Sequence, residues 1–192
     1  MTRVLHQVAA RCLHYPDDVR ERLPLLRRCL DEVPDAGLAA LVDHLRRTPP
    51  VEAARHYVEV FDTEADRCLY LTWYTDGDTR RRGGSLAALK QEYRRHGFAL
   101  ADDELPDYLP VLLEFAALTG DLRPLSAYRP ALRLLHHNLR ELGTPYASAV
   151  ASVLATVPVR DDARPVAADV PVERVGLEPV LLGYPARRPE RA

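Results

Sequence analysis

Apolar residues in this chain recur at a spacing close to 3.6, and proline-rich breaks interrupt the pattern. Val4, Leu5, Val8, Ala9, Cys12 and Leu13 form one stripe. Leu38, Leu41, Val42 and Leu45 form another at i, i+3, i+4 and i+7, which is one face of an α-helix. A helical stripe is buried only against another stripe, so the pattern predicts an all-α, single-domain bundle of roughly eight helices. With 192 residues, 47% of them hydrophobic, the chain is long enough for one core. No tandem repeat is visible, which argues against a solenoid.

Punctuation divides the stripes. Pro16-Asp17-Asp18 precedes a helix carrying Val19, Leu23, Leu26, Cys29 and Leu30, in which Pro24 predicts a break or kink near Leu23. Pro34–Gly37 and Pro49-Pro50 bound a third helix, and Val51, Ala54, Val58 and Phe61 begin a fourth. Residues 63–68 read as a polar loop. Residues 69–75 (Leu-Tyr-Leu-Thr-Trp-Tyr-Thr) have strand composition, but an isolated strand has no partner, so a buried helix is expected there. Thr79–His96 follows as a helix. Asp102-Asp103-Glu104 is expected to open the helix of Leu109–Leu118. Residues 121–142 make one or two helices broken at Pro124 and Pro130, and Tyr146–Val157 is the last core helix. Six prolines fall between Pro158 and Pro189. The expected organisation is therefore a helical body, 1–157, and a Pro-rich, flexible tail, 158–192. One apolar island in that tail, Val175–Tyr184, could dock on the body.

Several function classes lack their signatures. Net charge is −2, from 26 basic and 28 acidic residues, which disfavours a nucleic-acid binder. Cys12, Cys29 and Cys68 show no CxxC spacing, and the seven histidines show no HxxxH or HxxxxH pair. Buried thiols in a reducing cytoplasm are expected, with no metal site. There is no signal-peptide pattern, no span of about 20 apolar residues, and no GxGxxG, Walker or GxSxG motif. No catalytic residue is nominated. The near-neutral total conceals two blocks: residues 79–96 carry Arg80, Arg81, Arg82, Lys90, Arg94 and Arg95 against Glu92, whereas residues 97–122 carry Asp102, Asp103, Glu104, Asp107, Glu114 and Asp121 with no Lys or Arg. Either these pair as antiparallel helices, or the acidic block faces a groove that attracts a cationic partner.

Two stretches go further. His56-Tyr57-Val58-Glu59-Val60-Phe61-Asp62 with Cys68–Gly83, and Glu104-Leu105-Pro106-Asp107-Tyr108-Leu109 through Phe115, resemble the nitrate reductase delta subunit family. This is the NarJ-like branch of the all-helical maturation chaperones for molybdenum enzymes. The likeness covers about Val4–Val157. It departs at Tyr108, where the broader group usually has His. The resemblance implies a cytoplasmic, non-catalytic factor that binds the N-terminal, leader-like segment of the apo catalytic subunit of respiratory nitrate reductase. It implies that the factor assists insertion of the molybdenum cofactor (bis-MGD) without holding it stably, and that it is absent from the mature, membrane-docked complex. Another molybdopterin oxidoreductase as client is the alternative, and a helical nucleic-acid regulator the more distant one. For a basic amphipathic leader, the expected apolar contacts are Tyr57, Phe61, Leu71, Tyr74 and Tyr108, with Asp62, Asp76, Asp78, Asp107 and Glu114 orienting its charge.

Overall fold

The structure, a computed structural model, describes residues 1–17, 19–101 and 104–167. Ten α-helices occur among them: α1 (Thr2–Leu13), α2 (Val19–Glu32), α3 (Ala36–Arg47), α4 (Pro50–Phe61), α5 (Leu71–Asp76), α6 (Arg80–Arg95), α7 (Leu109–Thr119), α8 (Arg123–Ala127), α9 (Arg129–Leu142) and α10 (Tyr146–Thr156). The short α5 is the helix expected within 69–75, and residues 121–142 form two helices, α8 and α9, so the total exceeds the rough count of eight. Pro110, Pro124 and Pro130 lie in the first turns of α7, α8 and α9, where no backbone N–H is required. They start helices rather than interrupt them.

α7 is apolar on nearly all sides, with Leu109, Leu112, Leu113 and Ala116 fully buried. A helix without a polar face belongs at the centre of a bundle. α1 packs along it and also meets α2, α3 and α10. The core is filled by leucines from most helices and by Tyr74, Tyr93, Tyr128 and Tyr146. Gly37 is required by a close crossing: a Cβ there would lie 2.6 Å from Ser152 Oγ and 2.7 Å from the Ser148 carbonyl.

Three local expectations are corrected. α2 runs unbroken through Pro24. That residue is exposed, so solvent can satisfy the carbonyl whose helical donor proline removes. The polar loop at 63–68 contains a 3₁₀ turn, Ala65–Arg67. α7 begins at Leu109 rather than at the acidic run; Asp102 and Asp103 lie outside the described residues. Tyr108 is held outside the helix by an antiparallel bridge to Tyr70, with Leu109 N–H donating to the Leu69 carbonyl at 2.8 Å. Residues 69–75 satisfy both of their signals: Tyr70 makes that bridge, and the helix starts at the next residue.

The opposite charge blocks meet at Arg82–Asp107 and His96–Asp121, each 3.7 Å apart. Glu114 instead pairs with Arg11 of α1 at 2.7 Å. Residues 158–167 run back over the body: Arg164 N–H donates to the Ala127 carbonyl (2.8 Å) and Ala167 N–H to the Tyr74 carbonyl (2.9 Å). The island Val175–Tyr184 lies outside the described residues.

Candidate functional site

The two recognisable sequence stretches meet around Asp107. Its side chain is fully buried. The carboxylate accepts from the backbone N–H of Thr72 (3.2 Å) and, at short range, from the Thr72 hydroxyl. Thr72 is in the first turn of α5, whose N-cap residue Tyr70 offers no side-chain cap. Asp107 therefore caps α5 from 35 residues away, satisfying a donor that the helix itself leaves open. Arg82 of α6 closes the arrangement: its Nη2 is 3.7 Å from the carboxylate, its Nε donates to Thr72 Oγ1 at 3.1 Å, and its guanidinium lies 6.0 Å from the centre of the Trp73 ring. Tyr93 donates to the Pro106 carbonyl at 2.7 Å and pins the other side of the loop.

On this scaffold rests an aromatic and acidic surface. Tyr108 is half-buried; its hydroxyl shares a 2.8 Å hydrogen bond with the Tyr57 hydroxyl, which also donates to the Leu13 carbonyl at 3.2 Å. The Tyr108 ring lies 5.4 Å from Tyr70 and 5.9 Å, edge-on, from His14. Tyr15 stands edge-on to Tyr57 at 5.4 Å. Tyr15 and Tyr70 are 42% and 36% exposed, so part of each residue is open to solvent. Burial pushes the Tyr108 hydroxyl up to about 12 and raises that of Tyr57 further; both stay protonated as hydrogen-bonding groups. Asp62, exposed at the end of α4, acts electrostatically on Tyr57, Tyr70 and Tyr108, and partial desolvation raises its own carboxyl. Partly exposed rings beside a carboxylate can receive the apolar side of a peptide and a neighbouring cation.

The nominated residues divide by depth. Tyr57, Phe61, Leu71 and Tyr74 are buried. Phe61 packs 4.9 Å from both Tyr57 and Tyr146, and Tyr74 donates to the Cys68 and Asp66 carbonyls; they shape the surface from beneath. Tyr108 and Asp62 reach it, and Asp107 supports it. Asp78 is exposed in the turn before α6. Asp76 is nearly buried, 3.7 Å from Arg164, and Glu114 is engaged by Arg11. Sequence reasoning missed Tyr70, His14, Tyr15 and Arg82. The first and last lay inside the recognised stretch, whereas His14 and Tyr15 had only the break at Pro16 to mark them. Spacing between histidines also missed Glu92, His96 and Asp121, whose ligand atoms lie within 4.8 Å of one another. Arg123 already bridges the two carboxylates there, at 3.0 and 2.7 Å.

The profile of the family described as nitrate reductase delta subunit matches residues 27–152, about two thirds of the chain. The chain belongs to that family. It is 44% identical over 122 residues to the nitrate reductase-like protein NarX of Mycobacterium tuberculosis, covering 62% of this chain but only 19% of that much longer protein. It is 34% identical over 137 residues to the Bacillus subtilis protein assigned as nitrate reductase molybdenum cofactor assembly chaperone NarJ, covering 69% and 72% of the two chains. The Escherichia coli chaperone NarJ is 28% identical over 151 residues, covering 73% and 64%. The two NarJ relatives are assembly chaperones rather than enzymes. A crystal structure of a candidate redox enzyme maturation protein from Archaeoglobus fulgidus superposes with a TM-score of 0.63 at 19% identity, covering 79% of this chain and 91% of that one. At that identity the likeness concerns the helical fold. Among the described residues no helix is long and apolar enough to cross a membrane.

Proposed function

We propose that this chain is a cytoplasmic maturation chaperone for a molybdenum-containing nitrate reductase. It binds the N-terminal, leader-like segment of the apo catalytic subunit and holds that subunit open while the molybdenum cofactor, which is the client's cargo, is inserted. It departs before or at membrane docking and is not part of the finished enzyme. The observation that carries this reading is the surface of Tyr15, Tyr70, Tyr108 and Asp62, built where the family's two recognisable stretches join. An amphipathic basic helix would lay its apolar face on the exposed rings and set its cations toward Asp62. Aromatic contacts would supply most of the affinity, and the carboxylate the orientation and on-rate. Asp78, in the turn before α6, is a further exposed acid on the same stretch.

Calorimetry with a synthetic peptide of the catalytic subunit's first residues tests the reading. Tyr70→Ala is expected to weaken binding by about tenfold or more, as loss of an aromatic anchor does. Asp62→Asn is expected to weaken it less and to reduce its salt dependence. Wild-type affinity in both variants would remove this surface from the binding site. The same titration with the leader of a different molybdopterin oxidoreductase separates the two candidate clients.

A further inference from the structure

One carboxylate nominated for a partner's charge is already occupied by the chain's own cation. Asp76 Oδ2 lies 3.7 Å from Arg164 Nη1, and the same nitrogen donates to Ser85 Oγ at 2.6 Å. The Arg164 guanidinium stands 5.3 Å from the centre of the buried Tyr128 ring. A carboxylate, a hydroxyl and an aromatic face around one guanidinium form a site selective for arginine: the charge, a hydrogen-bonding edge and the flat π surface are each matched. Beside it lies a cavity of about 200 Å³, lined by Leu89, Glu92 and Arg123 as well as by Ser85, Tyr128 and Arg164.

The segment that delivers Arg164 is lightly held. Its backbone makes two hydrogen bonds to the body, both to carbonyls of helix C-terminal turns, Ala127 of α8 and Tyr74 of α5. Such carbonyls lack helical donors and accept from any extended chain. Arg160 and Asp162 pair with each other rather than with the body, and Pro165 is exposed. Asp76, by contrast, is 9% exposed. Losing Arg164 would leave it buried without a counter-ion, a state that favours capture of another cation.

We propose that Asp76, Ser85 and the Tyr128 ring form an arginine-binding site that Arg164 fills in cis, and that an arginine of the client's basic segment displaces the 158–167 strap to fill it in trans. The strap then acts as a competitor at high effective concentration, so a segment lacking arginine binds less well to the free chaperone. This inference rests on the function proposed above.

The test uses the full chain and a synthetic peptide of the nitrate reductase catalytic subunit's N-terminal segment. Arg164→Ala is expected to bind it about fivefold or more tightly than wild type, because a closed competitor lowers apparent affinity by the fraction of open molecules. Replacing the peptide's arginines by alanine should abolish that gain. In wild type, saturating peptide should accelerate hydrogen exchange at the Arg164 and Ala167 amides. Equal affinities for wild type and Arg164→Ala, or Arg164 and Ala167 amides that remain protected in the saturated complex, would overturn the inference while leaving client binding in place. No binding to either protein would overturn both readings.

Discussion

Replacing Asp107 by alanine tests the scaffold beneath the proposed surface. The substitution removes the acceptor for the Thr72 N–H and hydroxyl and the anion 3.7 Å from Arg82. All of this happens at a side chain with no exposed area. A buried donor left unsatisfied costs about 1–3 kcal/mol, and removing one partner of a buried charge pair costs about 3–5 kcal/mol in total. Arg82 retains 22% side-chain exposure, so water recovers part of its solvation and the lower end applies, about 3 kcal/mol. For a chain of this size each kcal/mol moves the melting temperature by about 2–4 °C, which predicts a fall of about 6–12 °C. Asp107→Asn keeps one carbonyl oxygen for Thr72 and should cost about half as much. Urea denaturation followed by circular dichroism measures both, and a double-mutant cycle with Arg82→Ala should give a coupling of about 1 kcal/mol. A loss below about 1 kcal/mol for Asp107→Ala, or strict additivity with Arg82→Ala, would refute the claim that this buried cap holds α5 against the loop before α7.

Three further outcomes follow from the packing and the buried groups. His6 is buried, its Nε2 is 2.8 Å from Thr156 Oγ1, and desolvation lowers it to about 4. The unfolded chain therefore takes up this proton first, so stability should fall by roughly 2–3 kcal/mol as pH drops from about 6.5 to about 4 and flatten below that; melting curves of His6→Gln should lose that part of the slope. Gly37→Ala drives a methyl group against Ser152 and the Ser148 carbonyl and should destabilise by about 1–3 kcal/mol. Gly84→Ala, in α6 with nothing within 4 Å of the new Cβ, should instead stabilise by about 0.4–1 kcal/mol; calorimetric melting of the pair checks the opposite signs. Tyr57→Phe removes the hydroxyl that links Leu13 and Tyr108 and should cost about 1–2 kcal/mol in urea, with leader binding weakened through the freed Tyr108 ring.

What could be read from the sequence, and what could not, divides by the range of the forces involved. Helical stripes announce themselves within a dozen residues, so the all-α bundle and nearly every helix were legible. The start of α7 was not. An acidic run is a local signal, whereas Tyr108 is held by Tyr70, 38 positions earlier. For the site, Tyr57 and Phe61 at i, i+4 correctly shared a face, but periodicity does not tell whether an aromatic face is a binding surface or a core, and here it is core. The exposed rings, Tyr15 and Tyr70, stand before helices, at positions to which a 3.6-residue period assigns no face. Arg164 was the least legible of all. Repeated prolines disfavour a helix there, and such composition suggests a segment independent of the body. Yet an extended strap needs neither helix nor strand: two backbone N–H groups, those of Arg164 and Ala167 on either side of Pro165 and Val166, find carbonyls that α8 and α5 leave open, and one guanidinium finds Asp76. A segment can be proline-rich and still dock wherever short helices end in unfilled acceptors, and this chain has two such ends within reach of a single strap.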